Sequence, residues 1–335
     1  MQRVTGQQRY AAEISRRLLS SSRYREIEPS RPVSRSTLRV WAWLQFVLPF
    51  VDRSSLLLSM TSRAPLLRGR QVIVIHDLFV LTNPEWFSRK YYLTHAPMLR
   101  IQLGIAAGII AVSAPVAEQL GPLFRGPVVV APNAPSLVFA ERPTDRGDTT
   151  HGDALGSLGL ERGSYLLAVG SIDPRKNLNA LAEAYGRLSA AERTAMPLVI
   201  VGGGSAVFKT QAIRWPVGTV DAGFVTDEEL RGLYGGSRAV VFVSLAEGFG
   251  LPLVEAATSG ATALIISDIP VFHWICGDSA TYVNPASIDS IANALSAAIT
   301  TSPGNRPPMF DPSRFNWDDS AAIVAQFCES PEVDR

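Results

Sequence analysis

Cysteine is nearly absent from this chain of 335 residues. Its two cysteines, Cys276 and Cys328, lie far apart and match neither a metal-binding spacing nor a disulfide framework, as fits a reducing cytosol. Charge of one sign is missing too: Lys and Arg total 31 and Asp and Glu 30, a net charge of +1. No global field therefore argues for nucleic acid, although local basic patches for an anionic substrate stay open. The N-terminus has no apolar core of signal-peptide type. The most apolar early window, 38–60, is interrupted by Arg39, Gln45, Pro49, Asp52 and Arg53, and its uncharged run is too short to span a bilayer. Trp41, Trp43, Phe46 and Phe50 within it suit a lipid interface, and aromatics at this spacing equally suit a core, the commoner outcome. What remains is ample apolar material, with 47% hydrophobic and 18% charged residues. At this length two α/β domains are the natural expectation.

The most informative stretch is 239–260, AVVFVSLAEGFGLPLVEAATSG. Residues 239–243 form a continuous apolar run, as in a strand buried on both faces. Small residues and glycines break it at 244–250, with Glu247 among them, and Pro252 stands where a helix takes its first residue. Glu255 is expected in the first helical turn. Both carboxylates then reach the rim beyond the carboxyl end of a parallel strand, where open α/β sheets bind ligands. Glu255 has a second reading as a complement to the helix dipole. Glu247 suits the hydroxyls of a sugar, since an ionised carboxylate accepts several hydrogen bonds at once.

In the first half, Thr5 and Gly6 open a helical pattern through Ala11, Ile14 and Leu18. Residues 71–78, QVIVIHDL, read as a buried strand ending on His76 and Asp77. His76 suits a sugar hydroxyl or a purely structural bond, and Asp77 a cap on the next turn. A helical stretch follows towards Leu103, then a strand at 108–113 and a cap at Ser113. A short strand at 127–131 ends in Pro132 and Asn133. Residues 142–163 are rich in Gly, Asp and Thr and make the best domain boundary.

In the second half, the strand 165–170 runs into DPRKNL, where Arg175 and Lys176 suit a diphosphate or a solvated basic turn. The strand of PLVIVGGGS ends in Gly202, Gly203 and Gly204, whose backbone can approach a phosphate. A nicotinamide fingerprint is weak there: Val207 stands where its third glycine belongs, and no acidic residue follows at the proper distance. Lys209 reads as a phosphate contact or as plain surface. Thr226 and Glu229 form a capping box for the next helix. Another strand is expected over 262–267, and a final helix opens near Phe315.

EGFGLPLVE, at 247–255, resembles the Glu-x7-Glu motif of retaining glycosyltransferases of the GT-B fold, family 4, and smaller resemblances run from Thr5 to the last helix. The resemblance implies an α/β fold of two Rossmann-like domains facing a cleft. The acceptor-side domain would span 1–145 and the nucleotide-sugar domain 160–312, with a crossover helix and tail at 313–335. The chain begins just before the first glycine loop, so the resemblance also implies an acceptor-side domain without its first strand. On the residues that match, it places Gly6 near the acceptor and donor phosphate, His76 at the donor sugar, and Arg175 and Lys176 at the diphosphate. Glu247 would hold sugar hydroxyls and Glu255 the ribose diol. Gly202, Gly203, Gly204, Phe224, Val225, Gly248, Phe249, Gly250 and Leu251 complete the donor site. Where the family commonly has an acidic residue after the basic one following Pro-x-Phe, this chain has Trp274 after His273. The family implies transfer with retention and no metal or other cofactor, and no Asp-x-Asp of the metal-holding architecture occurs here. The segments LTNPEWFSRKY, DPRKNL and IPVF most resemble bacterial mannosyltransferase-like members, so GDP-mannose is the expected donor. A glycan or lipid-linked acceptor and peripheral contact with the inner face of the membrane from the cytoplasm are expected with it. A sugar-nucleotide epimerase and a nucleotide-sugar-binding protein without turnover are the alternatives.

Overall fold

The computed structural model describes residues 5–34, 36–140, 154–203, 212–301 and 307–333. Gly204, Val207 and Lys209, and the four residues before Thr5 on which the question of a first strand turns, lie outside them. The chain forms two compact units: Met1–Glu85 with Arg89–Ala134 and Phe315–Arg335, and Trp86–Ser88 with Pro135–Arg314. The division thus falls at residues 134 and 135, ahead of the low-complexity stretch proposed as the boundary. The reason is local: helix Leu137–Ala140 packs on helices Asp227–Gly236 and Leu251–Thr258 of the second unit. Phe139 is buried there, its ring 6.2 Å from that of Tyr234.

The first unit holds a parallel sheet of β1 (Leu57–Ser59), β2 (Gln71–Ile75), β3 (Gly108–Ala111) and β4 (Val128–Val130), in sequence order. β2 and β3 are buried along their whole length, the outcome expected of continuous apolar runs between covering layers. Thr5 caps helix Gly6–Leu18 in a reciprocal capping box with Gln8, and Tyr10, Ile14 and Leu18 form its buried stripe. The last helix, Trp317–Cys328, lies against it, with Trp317 edge-on to Tyr10 at 5.8 Å. Contact with the sheet is close: a Cβ on Gly108 would sit 2.9 Å from the Phe327 ring. Only a glycine there lets this helix approach β3.

Ser113 caps the helix Ala114–Leu120 through its hydroxyl, and the Asp77 carboxylate accepts the Phe79 N–H at 3.2 Å. The aromatics of 41–50 depart from the core expectation. Trp41, Phe46 and Phe50 are 45%, 62% and 53% exposed. Helix Thr37–Phe46 buries Gln45 against the loop after β1 and turns those rings outward.

The second unit is a six-stranded parallel sheet: β5 (Leu166–Val169), β6 (Leu198–Val201), β7 (Thr219–Gly223), β8 (Ala239–Phe242), β9 (Leu264–Ser267) and β10 (Thr281–Val283). Its order is β10-β9-β8-β5-β6-β7. The chain therefore builds outward from β5 to β7, returns to the other side of β5, and builds outward again through β10. Between β5 and β8 the direction of winding reverses, which opens a crevice at the strands' carboxyl ends. Helices Leu178–Gly186 and Ile288–Thr300 pack together on one face, where Leu181, Tyr185, Ile291 and Leu295 meet Leu166 and Val241 in the core.

Candidate functional site

Lys176 and Glu247 come from the turns after β5 and β8, on either side of the winding reversal. The Lys176 ammonium donates to Glu247 Oε1 at 2.5 Å, and the side chains are only 11% and 10% exposed. Buried Ser244 donates its hydroxyl to the same oxygen at 2.8 Å. Among the described residues, Glu247 Oε2 accepts no hydrogen bond, so the carboxylate retains an acceptor for a ligand hydroxyl.

Three backbone devices set this geometry. Asp173 caps the turn Pro174–Lys176. Asn177 then takes the left-handed conformation, φ +56°, uncommon for a residue with a Cβ. Its side-chain amide donates to the carbonyls of Val243 at 3.1 Å and Pro285 at 2.8 Å, tying the ends of β5, β8 and β10 together. The Leu245 N–H also donates to the Arg175 carbonyl at 2.7 Å, so the loop carrying Glu247 is fixed to the turn carrying Lys176.

Arg175 lies in the same turn but is differently engaged. Its Nε and Nη2 each donate at 3.0 Å to a different oxygen of Asp173, a bidentate pair. Asp173 is fully buried and also accepts the Ser171 hydroxyl at 2.6 Å. Burial pushes its carboxyl up, but the charge and hydrogen bonds of Arg175 outweigh that and hold it below the usual range. Of the adjacent cations, one is offset by a buried aspartate and the other reaches across the crevice.

Gly202 and Gly203 follow β6 on the adjoining rim. Gly202 has φ +136°, and a Cβ there would stand 1.9 Å from the Gly170 carbonyl oxygen. Gly203 accepts the Ile172 N–H at 2.9 Å and lies against the Phe224 ring, which would be 2.4 Å from a Cβ on it. Phe224 is 66% exposed and Val225 half-buried, just past β7, which ends at Gly223 with φ +60°. Thr226 and Glu229 form the expected capping box.

Helix Leu251–Thr258 begins one residue before Pro252, after Gly250 at φ +99°. Glu255 therefore falls in the second turn, not in the first as expected, and is 6% exposed. A carboxylate that deep is past the amides the helix start presents, which weakens the dipole reading. Phe249 is buried edge-on to Trp274 at 6.1 Å. Its ring is therefore part of the packing under the loop, where Gly248 is buried as well, while Leu251 is half-buried. Trp274 carries the Arg314 guanidinium 5.8 Å from its ring, which gives it a packing role. Sequence alone gives Trp274, Asp173, Asn177 and Ser244 no role at the site. Asp173 and Asn177 flank the basic pair, and an acid two residues before an arginine is the signal that could have marked the first.

Gly6 and His76 belong to the first unit. Gly6 is the exposed first residue of its capped helix. His76 sits just past β2, where its Nε2 meets the Met60 carbonyl at 3.1 Å and its ring stands edge-on to Tyr10 at 5.2 Å. A carbonyl only accepts, so Nε2 carries the proton. Burial lowers the His76 pKa from 6.5 to about 4, against a smaller upward pull from the Met60 hydrogen bond, and the ring is neutral at pH 7.

Residues 157–308, nearly the whole second unit, match the family model for Glycosyl transferases group 1. The chain is 28% identical over 67% of its length to the Escherichia coli O-antigen chain mannosyltransferase B, and spans 59% of that protein. It is 26% identical over 79% of its length to the O-antigen chain mannosyltransferase RfbU of Salmonella typhimurium, spanning 70% of it. An E. coli trehalose-6-phosphate structure bound with UDP-2-fluoro glucose superposes on 97% of this chain and 85% of its own, with a TM-score of 0.61 at 17% identity. The chain thus has the α/β GT-B fold, built on parallel sheets, with a group 1 glycosyl transferase match over its second unit.

Proposed function

We propose that this chain is a retaining glycosyltransferase of the group 1 type, acting in O-antigen or related polysaccharide synthesis. It moves a hexose, mannose first, from a nucleoside diphosphate sugar to a glycan or lipid-linked acceptor. The observation that carries the reading is the Lys176–Glu247 pair at the winding reversal of the second sheet, inside the group 1 match. The mannosyltransferase relatives support the sugar, and GDP-mannose is the donor proposed.

In this reading the diphosphate lies over the backbone of Gly202 and Gly203, which carry no side chains of their own to hold it off. Lys176 exchanges part of its bond to Glu247 for the diphosphate oxygens and stabilises the negative charge that grows as the glycosidic bond breaks. Glu247, oriented by Ser244, takes sugar hydroxyls. Glu255 takes the ribose diol, and Phe224 with Val225 flanks the base. Arg175, held by Asp173, adds positive potential without being the principal phosphate ligand. Charge stabilisation is assigned to side chains, so the reaction proceeds without a metal and survives a chelator. The work is placed at the cytoplasmic face of the membrane. Among the described residues no helix is long and apolar enough to cross one.

The test is incubation of the purified chain with GDP-mannose and an O-antigen-type acceptor, followed by mass spectrometry and by NMR of the new anomeric centre. Gain of one hexose in the donor's configuration supports the reading. Conversion of the donor sugar without acceptor would indicate an epimerase, and nucleotide binding with no turnover a binding protein; either result sinks it.

A further inference from the structure

Lys176 and Glu247 are each only partly satisfied by the protein. The ammonium has three donors, and among the described residues it meets one acceptor, Glu247 Oε1. That oxygen also takes the Ser244 hydroxyl, while Oε2 accepts nothing among the same residues. Both side chains are largely buried, so two N–H donors and one carboxylate oxygen are mostly withheld from water as well. Nearly buried charges left in this way call for a ligand that completes them. Anionic oxygens suit the open donors, and hydroxyls suit the open acceptor.

The bond between them makes one half of that ligand depend on the other. Two adjacent hydroxyls of a hexose can engage both oxygens of a carboxylate, but Lys176 and Ser244 already occupy Oε1. A hexose arriving alone therefore finds Oε2 only. Anionic oxygens that draw the ammonium towards themselves weaken its hold on Oε1 and return that oxygen to the sugar. A hexose that takes Oε1 likewise releases the ammonium to the anion. The two effects have the same sign, and linkage makes them equal in size. Backbone movement offers no other route. The Leu245 N–H donates to the Arg175 carbonyl at 2.7 Å and the Asn177 amide to the Val243 carbonyl at 3.1 Å, so the two turns stay together. The lysine stem, by contrast, lies along Gly170: a Cβ there would stand 3.2 Å from Lys176 Cε and 3.4 Å from Cδ. The bare glycine leaves the stem room to tilt. Arg175 does not take its place on Glu247, since Asp173 engages its Nε and Nη2.

We propose that the Lys176–Glu247 pair determines specificity by coupling: a diphosphate opens the sugar half of the site, so a free hexose is held poorly and a nucleotide-borne one well. The inference rests on the donor site proposed above, and its test separates the two. The full chain is titrated calorimetrically with GDP and with UDP, each alone and with mannose or glucose in large excess, with sorbitol as the osmotic control. One of the sugars should tighten the nucleotide about tenfold, within the usual range of coupling between two sites, and sorbitol should not. In K176M the nucleotide should bind more weakly and the sugar should change its affinity by less than about twofold, because the bond that couples them is gone. E247Q keeps the shape of the side chain and should lose the coupling too, which carries the test if K176M does not fold. A nucleotide affinity indifferent to both sugars, one weakened by them, or a coupling that persists in the folded variants would overturn the inference and leave the donor site standing. Binding of neither nucleotide would sink the donor site and the inference with it.

Discussion

Lys176 Nζ donates to Glu247 Oε1 across the crevice between β5 and β8, and Ser244 donates to the same oxygen. One carboxylate oxygen thus joins the two turns on either side of the winding reversal. Removing one charge leaves the other largely buried without its partner. We expect K176M and E247Q each to lower kcat by about a hundredfold to a thousandfold, the usual loss for one electrostatic contact to the transition state. A double-mutant cycle should show a coupling of about 1–3 kcal/mol. Additive effects would mean that the pair does not act as a unit.

Asp173 is the residue whose loss should separate the two cations. D173N removes the bidentate partner of Arg175 and leaves a buried amide beside a guanidinium. A hydrogen bond to a charged group contributes about 1.5–3 kcal/mol, so thermal unfolding should fall by that order. The carboxyl is held below its unfolded value. Its contribution is therefore present above about pH 4 and disappears as pH falls through the folded pKa. The wild-type acid limb should be steeper than that of D173N, and parallel limbs would contradict the assignment.

His76 loses stability in the same direction but over a higher pH window. Its folded pKa lies near 4 against 6.5 unfolded, so the unfolded chain binds the extra proton between those values. Stability from the neutral buried ring is complete above about pH 6.5 and is lost progressively down to about pH 4, on the order of 3 kcal/mol. Denaturant melts of H76F across this window should be flatter than wild type. An unchanged slope would show that His76 is not the group responsible.

Glycine changes at the second sheet should differ sharply. G202A places a Cβ 1.9 Å from the Gly170 carbonyl oxygen at φ +136°, and it should cost about 3 kcal/mol or more or prevent folding. G223A, at φ +60° with nothing within 4 Å of the new Cβ, should cost about 1–2 kcal/mol. Comparable melting temperatures for the two would be inconsistent with the close approach of the β5 and β6 turns.

The parallel strands were legible because each is a short apolar run bounded by glycine or a polar turn. Runs such as QVIVI and AVVF have few other uses. Caps were legible for a similar reason: Ser113, Thr226 and Glu229 act within three residues of themselves. Asn177 was not, because its two acceptors, Val243 and Pro285, are 66 and 108 positions away. Asp173 was read as one letter of a basic motif, since nothing in its spacing shows that it turns back on Arg175. With Pro252 as the first helical residue Glu255 falls in the first turn, but the helix starts one residue earlier, at Leu251, and carries it into the second. The unit division is not legible because composition marks only a run rich in Gly, Asp and Thr, while the packing of Phe139 decides where a compact body starts.

Thermal unfolding of wild type and K176M with GDP, UDP, ADP and NAD in turn tests the central claim most directly. A ligand at about a hundred times its dissociation constant adds roughly 2.7 kcal/mol, which moves the midpoint by about 2–8 °C. The account predicts a shift with GDP for the wild-type chain and a much smaller one for K176M. A shift with NAD alone, or a GDP shift undiminished in K176M, would contradict it.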